Sequence, residues 1–126
     1  MTLTFDILDS KIVAATGAGR GIGLAITKRF LAEGATVYGV DLQEGSMETL
    51  NTSSRFHPVY FDITDQDLIR DLFVTIQKKY GRLDVLVNNA GIMQDAYLPM
   101  ITDTLLQKTF DVNVFAMINM IKYAAK

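Results

Sequence analysis

The chain has 126 residues, 49% of them hydrophobic, with a formal net charge of −2, which suits one domain with a real core. Its lysines and arginines are scattered between acids, so no basic face for nucleic acid or anionic lipid is expected, and the absence of cysteine excludes disulfides and thiolate metal sites while according with a cytoplasmic setting. The acidic start at Asp6 and Asp9 lacks the basic region of an export signal, and Asn113, Asn119 and Lys122 interrupt the longest apolar stretch, so neither secretion nor a membrane span is expected.

Short apolar runs alternate with segments of helical period along the whole chain, without a linker, low-complexity tract or repeat. The first strand is expected from Lys11 to Ala15, and the turn that follows it is rich in glycine. A helix from about Ile22 to Glu33 comes next, its stripe of Ile22, Ala25, Ile26, Arg29 and Phe30 facing the core, and Gly34 is placed to end it. A second strand covers Thr36 to Val40, with Asp41 at its carboxyl end, and a weak helix is expected between Glu44 and Asn51 despite Gly45. The third strand should run from Pro58 to Phe61, with proline as its first residue. Thr64 with Asp67 has the form of a capping box, and Ile69, Leu72, Phe73, Ile76 and Tyr80 trace one helix face that Gly81 stops. Leu83 to Val87 is almost wholly apolar, as an interior parallel strand covered on both faces reads. After a loop from Asn88 to Ile101, Thr102 caps a last helix carrying Leu105, Leu106, Phe110, Val114, Met117, Ile118 and Ile121, which runs on to Lys126 with no stop signal.

Right-handed crossovers between strands in this order give an α/β fold, a Rossmann-like doubly wound parallel sheet of about four strands ordered 3-2-1-4, within a single domain spanning residues 1–126. The strand order reverses between the first and fourth strands, and ligands of such sheets bind outside the carboxyl ends at that point. The glycine turn and the loop that opens at Asn88 both fall there. In the run KIVAATGAGRGIG, from Lys11 to Gly23, glycine allows both an unusual turn and a close approach to the main chain, while the free N–H groups opening the helix favour an anion. A dinucleotide pyrophosphate is the first expectation, with a ligand-free strand-to-helix connection as the plain alternative.

The glycines do not fit the general G-x-G-x-x-G spacing. Thr16-Gly17-x-x-x-Gly21-Ile22-Gly23 instead resembles the glycine motif of the short-chain dehydrogenase/reductase family, and three further stretches fall where that family has them. Asp41 stands where a carboxylate accepts hydrogen bonds from the adenosine ribose hydroxyls and repels a 2′-phosphate, so the resemblance implies NAD as cofactor and NADP as the lesser candidate. Arg20 pulls toward NADP, whereas Leu42 stands where NADP-using relatives often have arginine. Asp62, with Ile63 beside it, resembles the acidic residue that bonds the adenine amino group; a turn aspartate before the Thr64 cap is the competing account. Asn88-Asn89-Ala90-Gly91 resembles the segment that steadies the sheet and lays small residues against the cofactor ribose. Asn113, in an apolar helix, matches the family asparagine that distorts this helix and joins a proton relay, making it the one catalytic position of the family retained here. An asparagine among such neighbours needs partners for its amide in any case.

The resemblance runs from about Lys11 to Lys126 and covers about the first half of a typical member. It implies hydride transfer between a nicotinamide and a small-molecule carbonyl or alcohol, with a tyrosine moving the proton, a lysine four residues on lowering its pKa, and a serine orienting the substrate oxygen. Those residues are missing here. Leu42, Thr64, Asp84 and Ile101 stand four beyond Tyr38, Tyr60, Tyr80 and Tyr97, the spacing from Tyr123 to Lys126 is three, and no serine follows Ser54. The fold is therefore expected to be incomplete, cut before a fifth strand, with the fourth strand left as an edge. His57, the single histidine, reads as a strand-edge residue with no metal or triad partners, and no metal site is expected. Met93, Met100, Met117 and Met120 read as packing residues, and Asp65, Asp67 and Asp103 as first-turn acids. The leading expectation is the cofactor-binding portion of an NAD-dependent oxidoreductase, a homo-oligomer by resemblance; the alternatives are a non-catalytic NAD-binding module and an assembly protein completed by a partner chain.

Overall fold

The computed structural model describes residues 6–92 and 98–126; Met93 and Tyr97 lie outside the described residues. Four parallel strands, β1 (Ile12–Thr16), β2 (Thr36–Asp41), β3 (Phe56–Tyr60) and β4 (Val85–Val87), form one sheet in the order β3-β2-β1-β4. This is the Rossmann-like doubly wound order expected from the sequence, with β1 between β2 and β4: Val13 is paired with Val37 on one side and Val85 on the other.

The residues of β1 alternate between two cores. Ile12 and Ala14 join Tyr38, Val40, Ile69, Leu72, Phe73, Ile76 and Met120 on one face of the sheet. Val13 and Ala15 join Leu31, Val37, Met47, Leu50 and Phe56 on the other. Every residue of β1 is buried, which is why this strand has no polar alternation. Tyr38 stacks on His57 at 4.6 Å between ring centres and meets Tyr80 edge-on at 6.3 Å. Burial, followed by the neighbouring Tyr80, pushes the Tyr38 hydroxyl up to about 12. Burial and the nearby Lys79 lower the pKa of His57, which lies on edge strand β3.

Helix α1 (Gly21–Ala32) differs from its expected phase. Its buried positions are Gly23, Thr27 and Leu31, while Ile22 is 71% exposed. The sheet draws in the small residues because the helix starts close against the glycine turn, and the Thr27 hydroxyl donates to the Gly23 carbonyl. At its far end Gly34, at φ 92°, donates to Leu31 O and Ala35 donates to Phe30 O, a Schellman closure. The Arg55 guanidinium donates to the Leu31 and Ala35 carbonyls, both at 2.9 Å.

The expected helix between Glu44 and Asn51 is a single 3-10 turn, Met47–Leu50, held by the burial of Met47 and Leu50. Strand β3 begins at Phe56, so Pro58 sits inside it, opposite Gly39. An edge strand tolerates this because one side of it has no ladder to complete. The Phe56 ring also explains Gly39, since a Cβ there would lie 2.7 Å from Phe56 Cε1.

Helix α2 (Gln66–Tyr80) buries Ile69, Leu72, Phe73 and Ile76 as expected and ends at Gly81 in the left-handed conformation, φ 73°. Its cap is Asp65 and not Thr64: Asp65 Oδ1 accepts from the Asp67 and Leu68 amides, while the Thr64 hydroxyl turns back to Asp62 Oδ1 at 2.8 Å. A carboxylate at the cap also suits the positive end of the helix dipole.

Strand β4, apolar like an interior strand, forms an edge of the four-stranded sheet among the described residues, as expected of a sheet without a fifth strand. Asp84 anchors its start. One carboxylate oxygen, Oδ2, accepts from the Ile12 amide at 2.7 Å and from Arg82 Nε at 3.1 Å, and Arg82 Nη2 reaches the Ser10 carbonyl at 2.9 Å. Beyond the loop, Thr102 caps α3 (Asp103–Phe110) as expected, accepting from the Leu105 amide at 3.1 Å. The last helical region is not uniform, because a π-helical segment, Asp111–Phe115, separates α3 from α4 (Ala116–Ala124). Of its expected apolar residues, Leu106, Phe110, Met117, Ile118 and Ile121 are exposed. No helix among the described residues is long and apolar enough to cross a membrane.

Candidate cofactor cleft

The carboxyl ends of β1 and β4 meet through one side chain. Thr16, fully buried, accepts on its hydroxyl oxygen from the Asn89 amide at 3.1 Å and the Ala90 amide at 2.9 Å, and sits 3.4 Å from the Val87 carbonyl that it donates to. The Asn89 side chain returns the link, its Nδ2 donating to the Gly17 carbonyl at 3.3 Å. Two segments more than 70 residues apart in sequence are thus locked together at the switch point.

The glycines of the turn have distinct reasons. Gly17, at φ 64°, has Asn89 Nδ2 where a Cβ would go, at 2.8 Å. A Cβ on Gly23 would collide with the Gly17 carbonyl itself, so the first turn of α1 can lie against the loop only without a side chain. Gly21, at φ 56°, has nothing within 4 Å of the same position and faces open space. Arg20 occupies the N-cap position of α1, and its side chain makes no capping hydrogen bond. The amino end of α1 therefore presents peptide N–H groups to the adjoining cleft.

That cleft, about 670 Å³, runs across the carboxyl ends of the strands. Gly17, Arg20, Gly21 and Ile22 form one wall, and Asn89, Ala90 and Gly91 form another. Asp41, Leu42, Asp62 and Ile63 lie toward the β2 and β3 end. The exposure of Ile22, anomalous for a core residue, is explained by this position. Asp41 Oδ2 accepts from the Gly19 amide at 2.9 Å and its Oδ1 from the Leu42 amide at 2.7 Å, so the carboxylate is held at the rim. Asp62 Oδ1 accepts from the Thr64 amide and hydroxyl, the geometry of a turn aspartate that still borders the cleft.

Thr16, Gly23 and Asn113 do not line the cleft but support it. Asn113, in the π-helical segment, accepts from the Ile92 amide on Oδ1 and donates from Nδ2 to the Ile92 carbonyl, both at 2.7 Å. A Cβ on Gly91 would lie 3.3 Å from Asn113 Oδ1. Sequence reasoning missed Gln43, Phe61, Ile92, Lys108 and Val112, which also line the cleft. Nothing local marks Lys108 or Val112, because α3 and the π-helical segment reach the cleft only through tertiary packing. A second groove, about 460 Å³, lies at the other end of the sheet, where Leu83, Phe73 and Tyr123 form an apolar floor between α2 and α4.

A doubly wound sheet with a glycine turn, an uncapped helix start and an acidic residue closing β2 defines a Rossmann-type α/β protein with its cleft at the switch point. Residues 11–126 match the family model described as short chain dehydrogenase. A 3-oxoacyl-[acyl-carrier-protein] reductase of Thermotoga maritima is 36% identical over 89% of this chain and 48% of its own length. A galactitol 2-dehydrogenase of Agrobacterium fabrum is 33% identical over 85% of this chain and 43% of its own. Among solved structures, a short-chain dehydrogenase from Streptomyces avermitilis superposes with a TM-score of 0.86 at 30% identity, covering 93% of this chain and 44% of that one. The chain belongs to the short-chain dehydrogenase family, whose members bind nicotinamide cofactors, and the named relatives are oxidoreductases. It spans less than half the length of each of these relatives.

Proposed function

We propose that this chain is the cofactor-binding portion of an NAD-dependent oxidoreductase that interconverts a small-molecule carbonyl and alcohol in the cytoplasm. The carrying observation is the Asp41 carboxylate, held at the rim of the same cleft as the uncapped start of α1. The residues fit a dinucleotide. Gly21 leaves space beside the helix N–H groups for a pyrophosphate, and Asp41 retains lone pairs for the two ribose hydroxyls after accepting from Gly19 and Leu42. Asp62 and Ile63 border the place for adenine, and Asn89, Ala90 and Gly91 form the wall for the nicotinamide side.

Bound NAD would supply the hydride acceptor or donor, while binding, orientation and selection belong to the protein. Asp41 selects against a 2′-phosphate by like charge, and Leu42 offers that phosphate no cation. Arg20 and Lys108 border the cleft and bring positive charge, which favours any phosphorylated ligand and tempers the preference. Asn113 fixes the N–H and the carbonyl of Ile92 and so the course of the Gly91 wall; the resemblance assigns it a place in the proton relay. Calorimetric titration with NAD, NADP and ADP-ribose tests the reading. NAD and ADP-ribose are expected to bind, with NADP weaker by about tenfold, the loss of roughly one charge-assisted contact. A folded sample that binds none of the three overturns it.

A further inference from the structure

Gly19 is buried, and both of its peptide groups are taken by one neighbouring segment. Its N–H donates to Asp41 Oδ2 at 2.9 Å, and its carbonyl accepts from the Ser46 amide at 2.7 Å. The closure depends on Gly45, which has φ 53°, and whose missing Cβ would stand 2.6 Å from the Gly19 oxygen. A Cβ at Gly19 would itself stand 2.7 Å from Asp41 Oδ2 and 3.3 Å from the Glu44 carbonyl, so Gly19 too meets this segment only without a side chain. Gly45 is not among the residues lining the cleft. In the sequence it read only as a residue unfavourable to a helix.

We propose that Gly45 is a positioning residue for cofactor selection: bare of a side chain, it lets the segment from Asp41 to Ser46 clamp Gly19, and the clamped Gly19 holds the Asp41 carboxylate at the rim of the cleft. The inference rests on the NAD reading above. A side chain at Gly45 pushes against the Gly19 carbonyl and Cα, displaces the Gly19 N–H from Asp41 Oδ2 and frees the carboxylate to turn away. The ribose diol then loses its acceptor, whereas a 2′-phosphate loses a repelling charge. NAD and NADP therefore respond unequally, which a general loss of stability does not produce.

The test compares Gly45→Ala and Gly45→Val with Gly81→Ala in the full 126-residue chain. Gly81 has φ 73° and nothing within 4 Å of its Cβ position, so its substitution carries the same backbone strain without the collision and remote from the cleft. NAD and NADP are titrated calorimetrically, and thermal melting reports stability. Gly45→Ala is expected to weaken NAD by about tenfold and to cut the NAD-over-NADP preference by about fivefold, the scale of one charge-assisted hydrogen bond partly offset, with Gly45→Val larger. Gly81→Ala is expected to lower the melting temperature and leave both affinities unchanged. Equal losses for the two cofactors, or an unmoved preference in folded Gly45 variants, overturn the proposal. Amide exchange in the wild type gives a second measurement that needs no variant to fold: the Gly19 amide is expected to be protected, and rapid exchange there in the folded chain overturns the clamp. A wild type that binds no NAD overturns the functional reading and this inference together, while a wild type that prefers NAD and variants that keep its preference defeat the inference alone.

Discussion

Both ends of the Asn113 amide are spent on the backbone of a single residue, the N–H and the carbonyl of Ile92. That an asparagine between Val112 and Val114 needs partners follows from the cost of burying an unsatisfied amide, and so was legible in the sequence. Which residue supplies them was not, because Ile92 lies 21 residues earlier and reaches Asn113 only through the fold. Asn113→Leu leaves the Ile92 N–H and carbonyl without this partner and is expected to cost about 2 kcal/mol, read from urea denaturation. NAD affinity should fall with it, since the Gly91 wall loses its support; unchanged affinity in a folded variant would sink the supporting role. The glycines were legible as a turn, yet their separate reasons were not. Gly23 is set by contact with the Gly17 carbonyl and Gly45 by contact with Gly19, neither of which a spacing rule contains.

At the scale of elements, the periodicity of α2 placed its buried face correctly, because its apolar residues are large and the opposite face is charged. Helix α1 misled the same reasoning. Its large Ile22 points to the cleft and its small Gly23 and Thr27 to the sheet, a reversal caused by the close approach of helix and turn. Strand β4 is short, three residues, and the Asp84 carboxylate bonded to the Ile12 amide joins its start to β1. The Ile12 N–H and then Arg82 hold the Asp84 carboxyl below its ordinary value of 3.8, outweighing the raising effect of burial. Because the folded-state value is the lower one, the stabilisation is complete above pH 3.8 and is lost as pH falls through the depressed value. Asp84→Ala is expected to lower stability by about 1–2 kcal/mol at neutral pH, with the difference from wild type shrinking below pH 3.8. Denaturant midpoints measured across that range check it, and a difference independent of pH would count against the assignment.

For the molecule as a whole, the sheet is covered by α2 and α4 residues on one face and by α1 and the 3-10 turn on the other, and the cleft lies where, among the described residues, the strand order reverses. The outer side of the last helical region is different in kind. Phe110, Phe115, Ile118 and Ile121 are each about half exposed, at 51%, 49%, 51% and 50%. We propose that this run of large apolar residues is a face for self-association, as the family resemblance implies. The double variant Phe115→Glu, Ile118→Lys is expected to weaken self-association at least tenfold, the effect of placing about two charges in an apolar contact, as followed by sedimentation velocity. A wild type that stays monomeric at every concentration would remove this proposal.

Sequence alone determined the strand order, the glycine turn, the family and the position of Asp41, because these depend on local periodicity, on turn chemistry and on right-handed crossovers. The tertiary structure decided what encloses the cleft and what holds it: Lys108 and Val112 at its edge, Thr16 joining β1 to the loop after β4, Asn113 on Ile92, and Gly45 on Gly19. These are contacts between segments distant in sequence, or collisions avoided by a missing Cβ. Neither leaves a periodic trace along the chain.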